Sequence, residues 1–358
     1  MPIDQAAVQA VANRIFQEPL RDWINRSNPM LAALTKRGVS SDRIYLKGTL
    51  SSAHGAGPIA DGSDVTLAGT EATAYAAPAL DWSTYIAKFA VNKRALEAMG
   101  NQPGALGNLL QSEIMNAAKD LADKIAADVF AGNVSNGLVG IQSILADDNT
   151  YAGVDRTIAG NANWRGNIYD VGTGGPPVTT TTELSTGIIY EADSRFFLAN
   201  GYGFTERPGM FTGFTTRQIM NKYKSMMETI DLASLSTAHF VNRANATGQL
   251  GLGSVGFAGI PFIRDRNLPA SDLSNSGRLY FLDMNQIELA VLEPDPGKSL
   301  IHQVQGYTSA DTVDGIRTSI EFLGNKGEQL QGYVKCYIQL VSANPKAAGI
   351  VIRNLKAN

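Results

Sequence analysis

The chain has 358 residues, 44% hydrophobic and only 18% charged, with 30 Lys and Arg against 33 Asp and Glu for a formal net charge of −3. That balance excludes a protein that grips nucleic acid by neutralising phosphates, which needs a concentrated excess of cations, and it leaves a neutral surface that favours association. The single cysteine, Cys336, excludes an internal disulfide framework and a cysteine-rich metal cluster, while the absence of a long apolar run or a basic, apolar leader argues against membrane insertion and signal-directed secretion.

Residues 3–37 read as one or two short amphipathic helices, with Val8, Val11, Ile15, Trp23, Leu31 and Leu34 apolar, breaks at Pro19 and Pro29, and an end at Gly38. Such an arm has too little core to fold alone and is expected to lie across another surface. From Arg43 the pattern changes to β-prone runs, RIYLKGTL and DVTLAGTEATAY, separated by the tract SSAHGAGPIADGS. This predicts a long hairpin with a glycine-rich tip. A two-stranded hairpin is marginal in water, so it needs packing from outside itself, which we take to be another chain.

In DWSTYIAKFAVNK, Tyr85, Ala87, Phe89 and Val91 alternate with Thr84, Ile86, Lys88 and Ala90, the period of a strand. The period then lengthens. Leu106, Leu110, Ile114, Ala117, Leu121, Ile125 and Val129 recur at helical spacing between Pro103 and Gly132. Lys119 with Asp123, or Asp120 with Lys124, provides i,i+4 pairs on other faces. About 28 residues at 1.5 Å each predict a rod of roughly 42 Å.

Residues 136–298 are mixed: short apolar runs (RFFLAN, GIPFIRD), a helical segment at TTRQIMNKYKSMM, and a loop at DVGTGGPPVTTTT. The end returns to strands, IRTSIEFL, then YVKCYIQLV with Val334, Cys336, Ile338 and Leu340 on one face, then GIVIRNL after Pro345. Helices and strands interspersed without a regular βαβ alternation predict an α+β fold.

Little of this text carries catalytic chemistry. GLGSVG at 251–256 fits G-x-G-x-x-G, but a polar segment precedes it and a strand containing Pro261 follows, which is the wrong context for a pyrophosphate at a helix N-terminus. His54, His239 and His302 sit in no zinc-binding frame. Asp147 and Asp148 beside Asn149 and Thr150 read as a solvated turn rather than a cation loop. Cys336 on an apolar strand face reads as a small core residue. Trp23, Trp82 and Trp164, with no basic residues clustered around them, read as packing anchors rather than base-stacking platforms. No cofactor or metal is expected.

The order of elements resembles the major capsid proteins of tailed bacteriophages with the Hong Kong 97-like fold. The stretch NGLVGIQSILADDNTYAGVDRTIAGNANWRGNI, residues 136–168, is similar to the segment after the spine helix in many such proteins, where G-L-x-G-I leads into T-Y-x-G-[IV]-x-R-T and then a Trp. Here these are Gly137, Leu138, Gly140 and Ile141, then Thr150, Tyr151, Gly153, Val154, Arg156 and Thr157, then Trp164. PFIRDRNLPA with RLYFLDMNQIEL is similar to the family's strand, acidic turn and second strand. QLVSANPKAAGIVIRNL resembles its closing strands, and LRDWINRSNPMLAALTKRG its arm.

The resemblance implies an N-terminal arm at 1–42, an extended loop at 43–80, and a peripheral domain at 81–135 with 299–344. Leu110, Ile114, Leu121 and Ile125 would form the core face of its spine helix, and an axial domain would take 136–298 with 345–358. It implies a structural protein without catalytic residues that assembles into hexamers and pentamers of an icosahedral head. Tyr45, Lys47, His54, Asp61 and Asp64 of the loop would meet a neighbouring subunit, and double-stranded DNA would be enclosed without sequence-specific binding. A scaffolding protein, a portal and a decoration protein are the implied partners, with no membrane, in the virion capsid and, during assembly, the host cytoplasm. Some members carry a scaffolding segment before the arm; none precedes it here, so a separate scaffolding protein or a removed segment is expected. The alternatives are an encapsulin-like compartment of the same fold and, from another class, a soluble nucleotide-dependent enzyme built around the 251–256 loop or a His-containing cleft.

Overall fold

A computed structural model describes residues 28–46, 48–49, 75–76, 78–92, 103–132, 135, 137–172, 180–233, 255–269, 276–292, 316, 318–326 and 329–356. The chain divides into two compact units, one of Met1–Asp42, Asp81–Ile141 and Glu288–Val341, the other of Arg43–Leu80, Gln142–Ile287 and Ser342–Asn358.

The first unit is built on the strand Gln329–Val341, whose alternating Val334, Cys336, Ile338 and Leu340 are buried. Ser83–Asn92 pairs antiparallel with it from Gln329↔Asn92 to Ile338↔Ser83. On the opposite side Ser319–Lys326 takes its first half and Glu288–Leu292 its last residues. Tyr85, Phe89 and Val91 are buried on the same strand whose Thr84, Ile86 and Lys88 are exposed, the alternation expected of a strand with one covered face. The cover is the spine helix, Pro103–Phe130, which contacts both Ser83–Asn92 and Gln329–Val341. Its buried side is Ile114, Leu121, Ile125 and Val129 interleaved with Ala117, Ala118, Ala122 and Ala126. The alanines let the helix axis approach the sheet closely at no cost in helix propensity. Leu110, one turn further out, is half-buried.

Two expectations for the first unit are corrected. The helix read through residue 37 is only Pro29–Ala33, followed by the strand Thr35–Val39. Asn28 caps the helix by accepting from Met30 N (2.8 Å) and Leu31 N (3.3 Å), and Pro29 sits in the first turn, where its missing N–H loses nothing. Leu34 then turns extended, and the next five residues add in parallel to Glu288–Leu292. This part of the arm therefore lies on its own chain, with Met30, Leu31 and Leu34 buried; residues 1–27 are outside the described ones. The second correction concerns Lys124, whose Nζ reaches forward to Asp128 Oδ1 at 2.8 Å rather than back to Asp120. Glu288–Leu292, which the expected boundaries put with the axial segment, belongs to the first unit because its backbone is spent on Gln329–Val341 and Thr35–Val39.

The second unit holds a mixed six-stranded sheet in the order Val255–Phe257, Ile260–Arg264, Phe211–Thr215, Ser276–Asp283, Gly349–Lys356, Asn167–Asp170. Every residue of Ser276–Asp283 is buried, as befits a strand covered on both faces. The helices Thr186–Asn200 and Arg217–Ala233 contribute Ile189, Ala192, Phe196, Ile219, Met220 and Tyr223 to one core with Phe204, Phe211, Phe262 and Phe281. Aromatic pairs lock it: Phe204 stacks on Phe281 at 4.3 Å, and Phe196 meets Phe211 edge-on at 5.5 Å. The helix Thr186–Asn200 has no counterpart in the sequence reading, which saw only the run RFFLAN. With parallel and antiparallel pairs in one sheet and helices inserted irregularly, the fold is α+β.

The root of the hairpin also belongs to this unit. Ile44–Tyr45 pairs with Ala79–Leu80 and Gly48–Thr49 with Tyr75–Ala76, while Ile44, Leu46 and Leu80 are buried and Ala79 N donates to Ala152 O at 3.1 Å. The root is thus anchored on its own chain, contrary to a hairpin that depends wholly on outside packing; residues 50–74 lie outside the described ones.

Candidate functional site

The segment that carries the family resemblance begins in the first unit, where it closes over the end of the spine helix. Gly140 N donates to Gly132 O at 3.2 Å. A β-carbon at Gly140 would collide with the carbonyl oxygens of Asp128 (2.6 Å), Val129 (2.9 Å) and Ala131, so only glycine lets the chain pass this close to the last helical turn. Buried Leu138 donates its N–H to Tyr85 Oη (3.0 Å), and Tyr85 in turn donates to Asp128 Oδ2 (2.8 Å). Asp128 lies in the last helical turn, where the macrodipole disfavours a carboxylate. Lys124 on its other oxygen and the Tyr85 hydroxyl compensate. Burial, with Asp128 adding to it, holds the Tyr85 phenol well above its ordinary range. Nearby, Gln339 accepts from Val139 N (2.9 Å) and donates to Asp81 O (2.9 Å), and Ser83 Oγ donates to Gly137 O (2.7 Å).

The rest of the motif is an interlocked loop in the second unit. Ala152 (φ 53°) and Gly153 (φ 81°) both occupy the left-handed region and make a two-residue hairpin turn between Thr150–Tyr151 and Val154–Asp155. Tyr151 is buried and uses its hydroxyl twice on one backbone position, accepting from Ser342 N (2.8 Å) and donating to Ser342 O (3.3 Å). Trp164, at the end of the 3₁₀ turn Ala159–Trp164, donates its indole N–H to Tyr151 O (3.3 Å).

Arg156 is 0% exposed. Its Nη1 donates to Ser143 O (2.8 Å), Ala146 O (2.6 Å) and Asn149 Oδ1 (3.2 Å), and its guanidinium lies 4.8 Å from the centre of the Tyr151 ring. Those two carbonyls belong to the end of the short helix Ile141–Leu145 and the residue after it, so the cation serves as a C-terminal cap. Burial lowers the Arg156 pKa to about 10, opposed by the charges of Tyr151, Asp147 and Asp148; the side chain stays a cation at neutral pH.

The polar atoms of these motif residues face their own chain. In the first unit Gly140 binds Gly132 just past the helix end, while Gly137 and Leu138 bind Ser83 and Tyr85; in the second, Tyr151 contacts both Arg156 and Trp164, and Gly153 makes the adjoining turn. Their chemistry positions backbone. Burial pushes the Cys336 thiol up to about 12, far from nucleophilic at neutral pH. Among the described residues no group of three or more His, Cys, Asp or Glu could hold a metal ion, and no helix is long and apolar enough to cross a membrane. Of the loop residues expected at a subunit contact, Tyr45 stands 60% exposed at the hairpin root; Lys47, His54, Asp61 and Asp64 lie outside the described residues. Of the helix-core residues, Ile114, Leu121 and Ile125 are buried and Leu110 half-buried. Tyr85, Asp128, Gln339 and Ser342 were not foreseen. An acid three residues after Ile125, on the helix's buried side, was the one signal in the sequence for this network.

The fold is that of phage capsid subunits, the Hong Kong 97-like fold. The cyanophage A-1(L) capsid subunit superimposes with a TM-score of 0.65 over 92% of this chain and 93% of its own, at 15% identity. The capsid protein of the empty GTA particle does so with a TM-score of 0.53 over 92% and 90%, at 13% identity. The SrpI encapsulin of Synechococcus elongatus PCC 7942 aligns over 100% and 98% at 11% identity, but its TM-score of 0.48 is too low to weigh in the choice between a phage head and an encapsulin. No family model and no curated protein matches the sequence.

Proposed function

We propose that the protein is the major capsid subunit of a tailed phage, assembling with copies of itself into hexamers and pentamers of an icosahedral head that encloses double-stranded DNA. The observation that carries this is the whole-chain superposition on a cyanophage capsid subunit, which leaves no substantial part of either chain unaccounted for. Closed rings of identical subunits are how such a chain reaches a shell. A net charge of −3 lets copies approach one another and gives the wall no means of holding DNA tightly.

In this reading the first unit is the peripheral domain with its spine helix, the second the axial domain, and residues 43–80 the extended loop, in which exposed Tyr45 meets a neighbour. A scaffolding protein, a portal and a decoration protein are the partners, and assembly takes place in the host cytoplasm. The role is structural, with no catalytic residue. Expression of the full chain, alone and with candidate scaffolding proteins, followed by size-exclusion chromatography and negative-stain microscopy, tests it. Closed particles are expected. A chain that stays monomeric under every assembly condition refutes the reading, and native particles that hold a cargo enzyme and lack a portal vertex and DNA replace the phage head with an encapsulin.

A further inference from the structure

The helix Thr186–Asn200 is fixed at both ends and along one side. Ser185 Oγ accepts from Ile188 N at 3.3 Å, and Gly201 closes the helix at φ 79° with its N–H donated to Phe197 O at 2.7 Å. Ile189, Ala192 and Phe196 enter the aromatic core. The opposite side is unusual for a surface helix: Tyr190 is 54% exposed, Phe197 45% and Leu198 83%. At about 100° per residue, positions 190, 197 and 198 fall in one stripe with Gly187 and Ser194. No charge lies on that stripe. Glu191 and Arg195 border it and are hydrogen-bonded to each other at 2.9 Å.

Two quantities say what this surface fits. The three side chains present roughly 350 Å² to water, which is the size of the largest apolar patch on a typical monomer, and patches of that size are often functional. It is also close to half of the roughly 800 Å² that each partner contributes to a specific interface, with the polar border available as rim. The stripe does not end at the helix. Tyr190 packs edge-on against Phe257 at 5.1 Å, and Phe257 belongs to the terminal strand of the six-stranded sheet.

A partner that relied on charge, such as DNA or a strongly basic or acidic peptide, would find no complement on this stripe. A copy of the same chain would find an apolar patch like its own, with the paired Glu191 and Arg195 on one side and Asp193, hydrogen-bonded to Thr205, on the other.

We propose that the Tyr190–Phe197–Leu198 face of this helix is a contact between copies of the chain, an inference that rests on the reading that the copies associate. Two measurements on the full chain test it. In the first, Leu198→Lys, alone and combined with Phe197→Gln, is compared with wild type by sedimentation across a concentration series. Leu198 is 83% exposed and a cation suits the last helical turn, so the melting temperature of the single variant stays the same, while the concentration needed for association rises by at least about tenfold in the double variant. In the second, Leu198→Cys is labelled with a maleimide; the only native thiol, Cys336, is buried and slow to react. Labelling in the assembled form is expected to slow by at least about tenfold against dissociated subunits, because a buried side chain is reached only through dissociation. Association of the double variant at the wild-type concentration, or equal labelling of assembled and dissociated protein, overturns this contact and leaves the shell reading standing. Protection only in a complex with a different protein also overturns it. A wild-type chain that is monomeric at all concentrations removes both.

Discussion

Replacing Tyr85 with phenylalanine deletes one oxygen atom and, with it, the hub that ties the spine helix to the segment crossing its end. The hydroxyl accepts from Leu138 N at 3.0 Å and donates to Asp128 Oδ2 at 2.8 Å, and all three residues are buried. The bond to a carboxylate contributes about 1.5–3 kcal/mol, and the orphaned Leu138 N–H costs about 1–3 kcal/mol more. Part of this returns if the helix end loosens and admits water, so the expected loss is about 3 kcal/mol. For a folding unit of roughly 150 residues that lowers the melting temperature by about 6–12 °C. Thermal and urea unfolding of Tyr85→Phe, Asp128→Asn and the double variant give the magnitude and its origin. If the hydroxyl acts through Asp128, the double variant is less destabilised than the sum, with a coupling of about 1–2 kcal/mol. A loss below about 0.5 kcal/mol, or strict additivity of the two changes, would show that the contact does not hold the helix end.

Leu121→Asp puts a carboxylate on the fully covered face of the spine helix; the cost, above about 4 kcal/mol, is a large share of a domain's total stability, so the subunit is expected to be insoluble or unfolded by circular dichroism. Deleting residues 51–63, which lie outside the described residues, is expected to leave a folded subunit with an unchanged melting temperature but few closed particles by microscopy; normal shells from this variant would remove the extended loop from assembly. Stability should also fall in alkali. The folded Cys336 thiol is held up to about 12 while the unfolded thiol titrates near 9.0, so between those values the unfolded state binds fewer protons and stability drops as pH rises. The buried phenols of Tyr85 and Tyr151, both raised by burial, add to the slope above about pH 10. Urea midpoints of wild type and Cys336→Ala from neutral to alkaline pH measure the cysteine's part, which is expected to vanish in the variant.

How far the sequence discloses this molecule depends on whether an element's two sides differ. Ser83–Asn92 is readable because every second residue is buried, and the spine helix because its covered side repeats at helical spacing between Pro103 and Gly132. Thr186–Asn200 is not, because Tyr190, Phe197 and Leu198 stand exposed opposite Ile189, Ala192 and Phe196, which erases the periodicity. The feature that hides the helix is the one proposed as a subunit contact. Thr35–Val39, TKRGV, has no β signal of its own; it is a strand because Glu288–Leu292 offers it an edge. In the motif, Gly140 and Arg156 stand out as residue types, but their reasons are carbonyl oxygens at helix ends, which no residue letter reveals. Ser342 contributes only its backbone, so nothing in its side chain points to Tyr151.

Those reasons also bear on what a motif of this kind can specify. Gly140 removes a side chain so that the chain can cross a helix end, Gly153 admits a left-handed turn, and Arg156 supplies donors to the carbonyls of Ser143 and Ala146, the second of which also accepts from Gly166 N. Each answers a demand of the backbone, so what the chain gains from them is a fixed local geometry rather than a reactive group. Arg156 itself is fully buried, so its charge depends on the acceptors that its own chain supplies. A guanidinium that must keep its charge in such a place constrains its surroundings strongly, since every neighbour that moves away removes an acceptor it cannot replace. The loop around residues 143–164 is thus tied together through Arg156, Tyr151 and Trp164, and the root of the hairpin is anchored to it by Ala79 N on Ala152 O.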